Sequence, residues 1–303
     1  MIGALLVATA LSGSGVWQQD RAALLSGAAA AIGAGRRGEA KQLLQDAATR
    51  FHSVAALLQL ARLQSGDGDA SGALGSLQAA RTLAPNSEDV LNAYAQVALG
   101  ARLPGPAAGA LEALARMCPD AAPYQYLLGI ALMTVGDPVR ATEALQIADR
   151  LEPGRPLTLA ALGLALNNRK QFADAKAALT RSLELDPDRP ETLAALAEAD
   201  ASLGDVAAAE DHAHRALAAA PAEPTAHLVI GMVRLQQQRY EAARDALLEA
   251  AAADPQSPKA DYQLSLVYTR LGDAAAADRS LESYRRKLAE MNDRVKALRS
   301  AGR

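Results

Sequence analysis

Apolar positions along the chain recur at helical spacing, twice in every 34 residues. The stretch from Pro156 to Arg189 shows the layout. Leu159, Leu162, Gly163 and Leu166 fall at i, i+3, i+4 and i+7, which predicts an amphipathic helix. A short turn follows at Lys170-Gln171, and Ala175, Leu179, Ser182 and Leu183 then share one face of a second helix, which Pro187 cannot continue. The same punctuation stands in register along most of the chain. Pro85, Pro119, Pro153, Pro187, Pro221 and Pro255 follow one another at intervals of 34 residues. Twelve residues before each lies Ala73, Ala107, Ala141, Ala175, Ala209 or Ala243, a column that continues to Ala277. A third column keeps the middle of each first helix small: Ala61, Ala95, Gly129, Gly163, Ala197, Gly231 and Ser265. Small side chains there let a partner helix approach closely, while the leucine columns fill the remaining volume. One such helix pair cannot bury its apolar face alone, so successive pairs must stack.

Four units place Gly-Asp between the two helices: Gly68-Asp69, Gly136-Asp137, Gly204-Asp205 and Gly272-Asp273. Glycine supplies the positive φ that ends the first helix, and aspartate caps the second. The period of 34, the small residue of the first helix, the alanine opening the second and the closing proline together resemble the tetratricopeptide repeat (TPR). The resemblance implies an all-α fold: a TPR α-solenoid, a right-handed superhelix of antiparallel helix pairs with about eight repeats and a C-terminal cap helix. Units start near Arg21, Val54, Glu88, Ala122, Pro156, Pro190, Pro224 and Pro258, so the solenoid is expected over 21–291. The first unit is degenerate, with Glu39-Ala40 one residue out of register and His52 in the place of the proline. The family's tryptophan is missing from the first helix, where Leu91, Leu159, Leu193 and His227 stand instead.

Composition agrees with a helical reading. Half of the 303 residues are hydrophobic but only 3% are aromatic, the apolar content being mostly the helix formers Ala and Leu. The 31 Lys and Arg against 34 Asp and Glu argue against a nucleic-acid partner, which would call for a basic excess. With Cys118 as the single cysteine, neither an intrachain disulfide nor a cysteine metal cage is available.

Several short motifs imitate chemistry. Gly33-Ala34-Gly35-Arg36-Arg37-Gly38 spells the dinucleotide fingerprint, but a helical AAAAI precedes it where a strand is needed, which places it at the turn of the first repeat. Asp67-Gly68-Asp69-Ala70-Ser71-Gly72 opens like a calcium loop, yet Gln78 stands where the bidentate glutamate belongs, so turn and cap chemistry is expected. His212 and His214 point to different faces of one helix, and Cys118 has no neighbouring histidine. No catalytic, cofactor or metal site is expected, and the chain does not read as an enzyme.

The two ends carry their own expectations. Residues 1–20 begin with the apolar run MIGALLVATAL, shorter than a membrane span and without a basic leader. It reads as a shortened export signal or anchor, or as a cap on the first unit. Export to a periplasmic or envelope setting is favoured slightly over the cytoplasm, and this segment is the sole expected membrane contact. At the other end, 285–303 form a basic amphipathic helix. Leu281, Tyr284, Leu288, Met291, Val295 and Leu298 are spaced 3, 4, 3, 4 and 3 along it. With fewer than three full heptads, a cap covering the last unit is favoured over dimerisation through 281–298.

What remains is the other face of each first helix, which in TPR proteins lines the concave side where peptides or helices dock. It carries Tyr126, Ile130 and Met133 in the fourth unit, Leu164 and Asn167 in the fifth, Leu228, Met232 and Leu235 in the seventh, and Tyr262 and Leu266 in the eighth. An apolar stripe on a face that would otherwise be solvated suits an apolar protein or peptide ligand, with flanking Arg62, Asn92, Gln96, Glu198, Gln236 and Arg270 setting its register. The expected function is a non-catalytic interaction scaffold, an adaptor of the bacterial envelope or cytoplasm. The alternative is a regulatory or assembly subunit docking through its C-terminal helix.

Overall fold

The computed structural model describes residues 2–301. Among them lie sixteen helices and no strand, divided between two compact units, residues 1–118 and 119–303.

The first unit holds α1 (Ile2–Gly33), α2 (Arg37–Phe51), α3 (Val54–Gly66), α4 (Ala70–Leu83), α5 (Glu88–Gly100) and α6 (Pro104–Met117). Each odd-numbered helix packs on the even-numbered one that follows. Ser53 and Ser87 accept from the third amide of α3 and α5, and Asp69 accepts from Gly72 N at 2.8 Å to start α4. α1 runs from Ile2 without a break at residue 20 or 21, so no boundary separates the N-terminal segment from the first pair. Trp17 on α1 meets the ring of Phe51 edge-on at 5.9 Å. The degenerate first unit ends differently from the others. His52 takes the left-handed conformation (φ 47°) directly after α2, and α3 begins two residues later.

The second unit holds α7 (Ala122–Thr134), α8 (Pro138–Leu151), α9 (Pro156–Asn168), α10 (Phe172–Leu185), α11 (Pro190–Leu203), α12 (Val206–Ala219), α13 (Pro224–Gln236), α14 (Tyr240–Ala253), α15 (Lys259–Leu271) and α16 (Ala274–Ala301). Its core forms where the small column meets leucine. A Cβ added to Gly129, Gly163 or Gly231 would fall 2.5, 2.3 or 2.4 Å from the Cγ of Leu145, Leu179 or Leu247, so these three positions require glycine. At the corresponding place in the sixth pair, Ala197 and Ala213 share one core cluster, and neither needs a glycine partner. The turn after each first helix is left-handed in every pair, whether glycine is present (Gly136, Gly204, Gly272) or not (Lys170 at 60°, Gln238 at 61°). Asp137, Asp205 and Asp273 then cap the second helices through the amides of Arg140, Ala208 and Ala276.

The C-terminal basic stretch is not a separate helix. α16 is continuous for 28 residues, serving first as partner of α15 and then projecting beyond it.

Candidate interaction surface

Two columns at 34-residue intervals run along the first helices beside the small-residue positions. One runs Leu58, Asn92, Tyr126, Ala160, Ala194, Leu228, Tyr262, and the other Arg62, Gln96, Ile130, Leu164, Glu198, Met232, Leu266. In the second unit, Tyr126, Ile130, Met133, Leu164, Met232 and Leu235 are half-buried, while Tyr262 and Leu266 are 43% and 40% exposed. Leu228 and Asn167 take structural places. Leu228 lies in the core cluster of the last two pairs, and Asn167 donates its side-chain amide to Ala195 O at 2.8 Å, tying α9 to α11. Neither presents a surface to a ligand in this conformation. Leu235 and Leu266 meet, with Gln236, Tyr240, Thr269 and Arg270, around a concavity of about 580 Å³. Glu198 is drawn towards the end of the unit by Lys259, whose Nζ lies 2.5 Å from its Oε1, a bridge from α15 over α13 to α11.

In the first unit three of the four residues of these columns are polar, Leu58 being the exception. Arg62, Asn92 and Gln96 line a concavity of about 700 Å³ between α3 and α5, with Asp89 at its side and Leu58, Ala93 and Val97 beneath. Asn92 Oδ1 accepts from Gln96 Nε2 at 3.2 Å. Of the flanking polar residues named from sequence, Arg62, Asn92 and Gln96 line this cleft, while Gln236 and Arg270 line the concavity of the second unit. Extending the Tyr126 and Ile130 columns back by whole periods is the signal that finds its remaining members.

The imitating motifs are absorbed by the fold. The glycine-rich segment is the turn between α1 and α2, with Gly35 left-handed. Asp67 lies 2.9 Å from Arg37 Nε and 2.7 Å from Lys41 Nζ. The bond from Lys41 chiefly, aided by the nearby charge of Arg37, holds its carboxyl below the ordinary value. Asp69, the next carboxylate of that calcium-like segment, is used as a helix cap. Desolvation, with Glu88 close by, pushes the Cys118 thiol up and keeps it protonated, unlike an activated nucleophile. One cluster carries no sequence motif. Asp200 on α11, with its side chain fully buried, meets Lys176 Nζ at 2.6 Å and His212 Nδ1 at 2.8 Å. The bond to Asp200 holds the Lys176 ammonium above its usual range, and Asp205, 3.3 Å away, is held low first by the Ala208 amide and then by Lys176. These groups pin three successive helices, α10, α11 and α12, together.

The tetratricopeptide-repeat family model matches residues 160–224, 194–258 and 228–286, three overlapping windows that advance by one period each. Residues 160–286 carry tetratricopeptide repeats. Solved TPR folds extend the likeness over most of its length. A tetratricopeptide repeat protein from Parabacteroides merdae is 14% identical, with 85% of this chain and 99% of that one covered and a TM-score of 0.56. Cut9, in its hetero-tetramer with Hcn1 from APC/C, is the setting of a second match at 21% identity and TM-score 0.56, in which this chain covers 79% of itself but only 48% of the other. Human IFIT1, a dimer with m7Gppp-AAAA, gives 17% identity, coverage of 82% and 62%, and a TM-score of 0.51. At these identities the likeness is one of fold. No curated protein matches the sequence. The TPR framework explains the small column and the left-handed turns at once: both are demands of the helix pair, met unit after unit. Among the described residues no helix is long and apolar enough to cross a membrane.

Proposed function

We propose that the chain is a non-catalytic TPR scaffold that holds a peptide or helix of a protein partner along the open face of its first helices. The observation that carries this reading is the pair of columns. Across the second unit they include Tyr126, Ile130, Leu164, Met232, Tyr262 and Leu266, large apolar side chains left half-buried or exposed. Apolar groups so placed gain by being covered, at roughly 25 cal/mol per Å² of apolar surface removed from water. Polar side chains lining the first-unit cleft suit the backbone or polar side chains of a segment bound there. An envelope or cytoplasmic setting both accommodate this role.

The test is affinity capture from fractionated source-cell lysate, with the intact chain beside a Tyr126→Asp/Met232→Asp variant matched for helicity by circular dichroism. The expected result is a partner retained by the former and lost by the latter. Capture of the same proteins by both would return these side chains to purely structural duty.

A further inference from the structure

α16 outruns its partner. Tyr284 packs against Tyr262 with ring centroids 5.4 Å apart, and Lys287 Nζ lies 2.5 Å from Asp261 Oδ2, close to the start of α15. From Leu288 onwards the helix has no antiparallel neighbour, and at 1.5 Å per residue its remaining turns reach about 20 Å farther. Lys287, Met291 and Arg294 edge the loop from Asp254 to Pro258. Beyond it the overhang meets the turn between α7 and α8, four helix pairs back along the chain. A Cβ on Gly136 would lie 2.9 Å from Val295 Cγ1, and Arg299, on the same face one turn on, donates Nε to Val135 O at 3.1 Å and Nη2 to Gly136 O. These carbonyls stand at the end of α7, where a helix has acceptors without intrahelical donors and the negative end of its dipole. A guanidinium is the group that such an end recruits, and the bare Gly136 gives Val295 its seat.

We propose that the α7–α8 turn is a docking notch for the end of a basic helix, filled in cis by α16, and that α16 thereby acts as a displaceable latch over the arc from the fourth to the eighth pair. The latch is built to release. Among the described residues its anchors at the turn include one β-branched side chain and one guanidinium, while Met291 within the overhang stays 40% exposed and its neighbours from Ala289 to Arg294 face solvent. A partner helix with a β-branched residue and an arginine four positions later, facing the same way, would take its place. The assignment uses the turn edge of the repeats and stands whether or not the open face binds a ligand.

The geometry supplies its own probe. The Cβ positions of residues 136 and 295 are 3.7 Å apart, within disulfide range. The left-handed backbone at 136 accepts a side chain, as it does at Lys170 and Gln238. In a Cys118→Ser background, Gly136→Cys/Val295→Cys is expected to oxidise to an intramolecular bridge seen as a monomer of altered mobility on a non-reducing gel. A cross-linked dimer would show that the overhang docks on a second copy, and absence of any bridge would show that it does not dock; either overturns the cis assignment. The second arm titrates a fluorescent synthetic peptide of residues 284–301 into the full-length chain. Arg299→Ala is expected to bind it at least about fivefold more tightly than the unmodified chain, the lower end of ordinary coupling between competing states. The oxidised bridge is expected to exclude a Val295→Ala form of the peptide, which leaves room for the side chain at position 136, and reduction of the same sample to restore its binding. Equal affinity for the oxidised and reduced forms would overturn the notch.

Discussion

Lys170 adopts φ 60° at a place where three units of the second half have glycine, and Arg102 and Gln238 do the same at 57° and 61°. The alternation of Gly with other residues along the sequence therefore does not reflect alternating structure. Every pair needs the left-handed turn, and some units meet the need at a steric cost of about 1–2 kcal/mol for a residue with a Cβ. Lys170 is exposed, so its side chain gives little back. Glycine loses more backbone entropy on folding, by roughly 0.5–1 kcal/mol, which offsets part of the relief. Lys170→Gly is expected to stabilise the fold by about 0.5–1 kcal/mol, seen as a higher urea midpoint. A lower midpoint would mean that the lysine side chain contributes more than its exposure suggests. This feature was half legible beforehand. The Gly-Asp turns announced themselves, and a turn was readable at Lys170-Gln171, but no glycine marks Arg102, Lys170 or Gln238 as left-handed, because their conformation is imposed by the closing of the helix pair.

The helix pair is where the small column has its meaning. At Gly163 a methyl group would collide with the branch point of Leu179, which cannot swing aside as a chain end could. Overpacking of this kind costs typically 1–3 kcal/mol, against roughly 1 kcal/mol gained from replacing glycine by alanine inside a helix. Gly163→Ala is expected to destabilise by about 1–2 kcal/mol in denaturant unfolding. In a Leu179→Ala background the same change is expected to turn neutral or stabilising, since the obstruction is gone. Destabilisation of equal size in both backgrounds would refute the contact as cause. The helix pairs were plain in the sequence because local spacing encodes them. The pins between pairs were not. Asp200, Lys176 and His212 come from three helices and share no motif, and Asp67 is clipped by Arg37 and Lys41 from the preceding pair. That clip has a sign in pH. Since the Asp67 carboxyl is held low in the fold, its contribution is present above the ordinary carboxylate value and is lost as acid protonates it through the lowered one. Asp67→Asn is expected to melt earlier than the parent chain at neutral pH, with the two melting temperatures converging in acid. A gap that persists undiminished would place the effect in packing instead of charge.

Across the molecule, the repeat register was readable from the second pair to the eighth, and the candidate face only in outline. Tyr126, Ile130 and Met232 stand where the period puts them and are half-covered, Met232 against the core cluster of the last two pairs. Leu228, in the column of Tyr126, and Asn167, one period after Met133, are drawn inward, because successive first helices in the second unit pack against one another and claim whatever reaches between them. The return of α16 to the α7–α8 turn had no sequence signature, since its two ends lie 163 residues apart in the chain. It nevertheless sets a length. Arg299 meets Gly136 only because a definite number of helix pairs, each adding its own rotation, lies between α7 and α16. Insert or remove one pair inside that stretch and every remaining pair still finds the neighbours it needs, but the notch swings out of reach. The chain end thus works as a gauge of its own repeat number, in a fold whose nearest-neighbour logic otherwise leaves that number free.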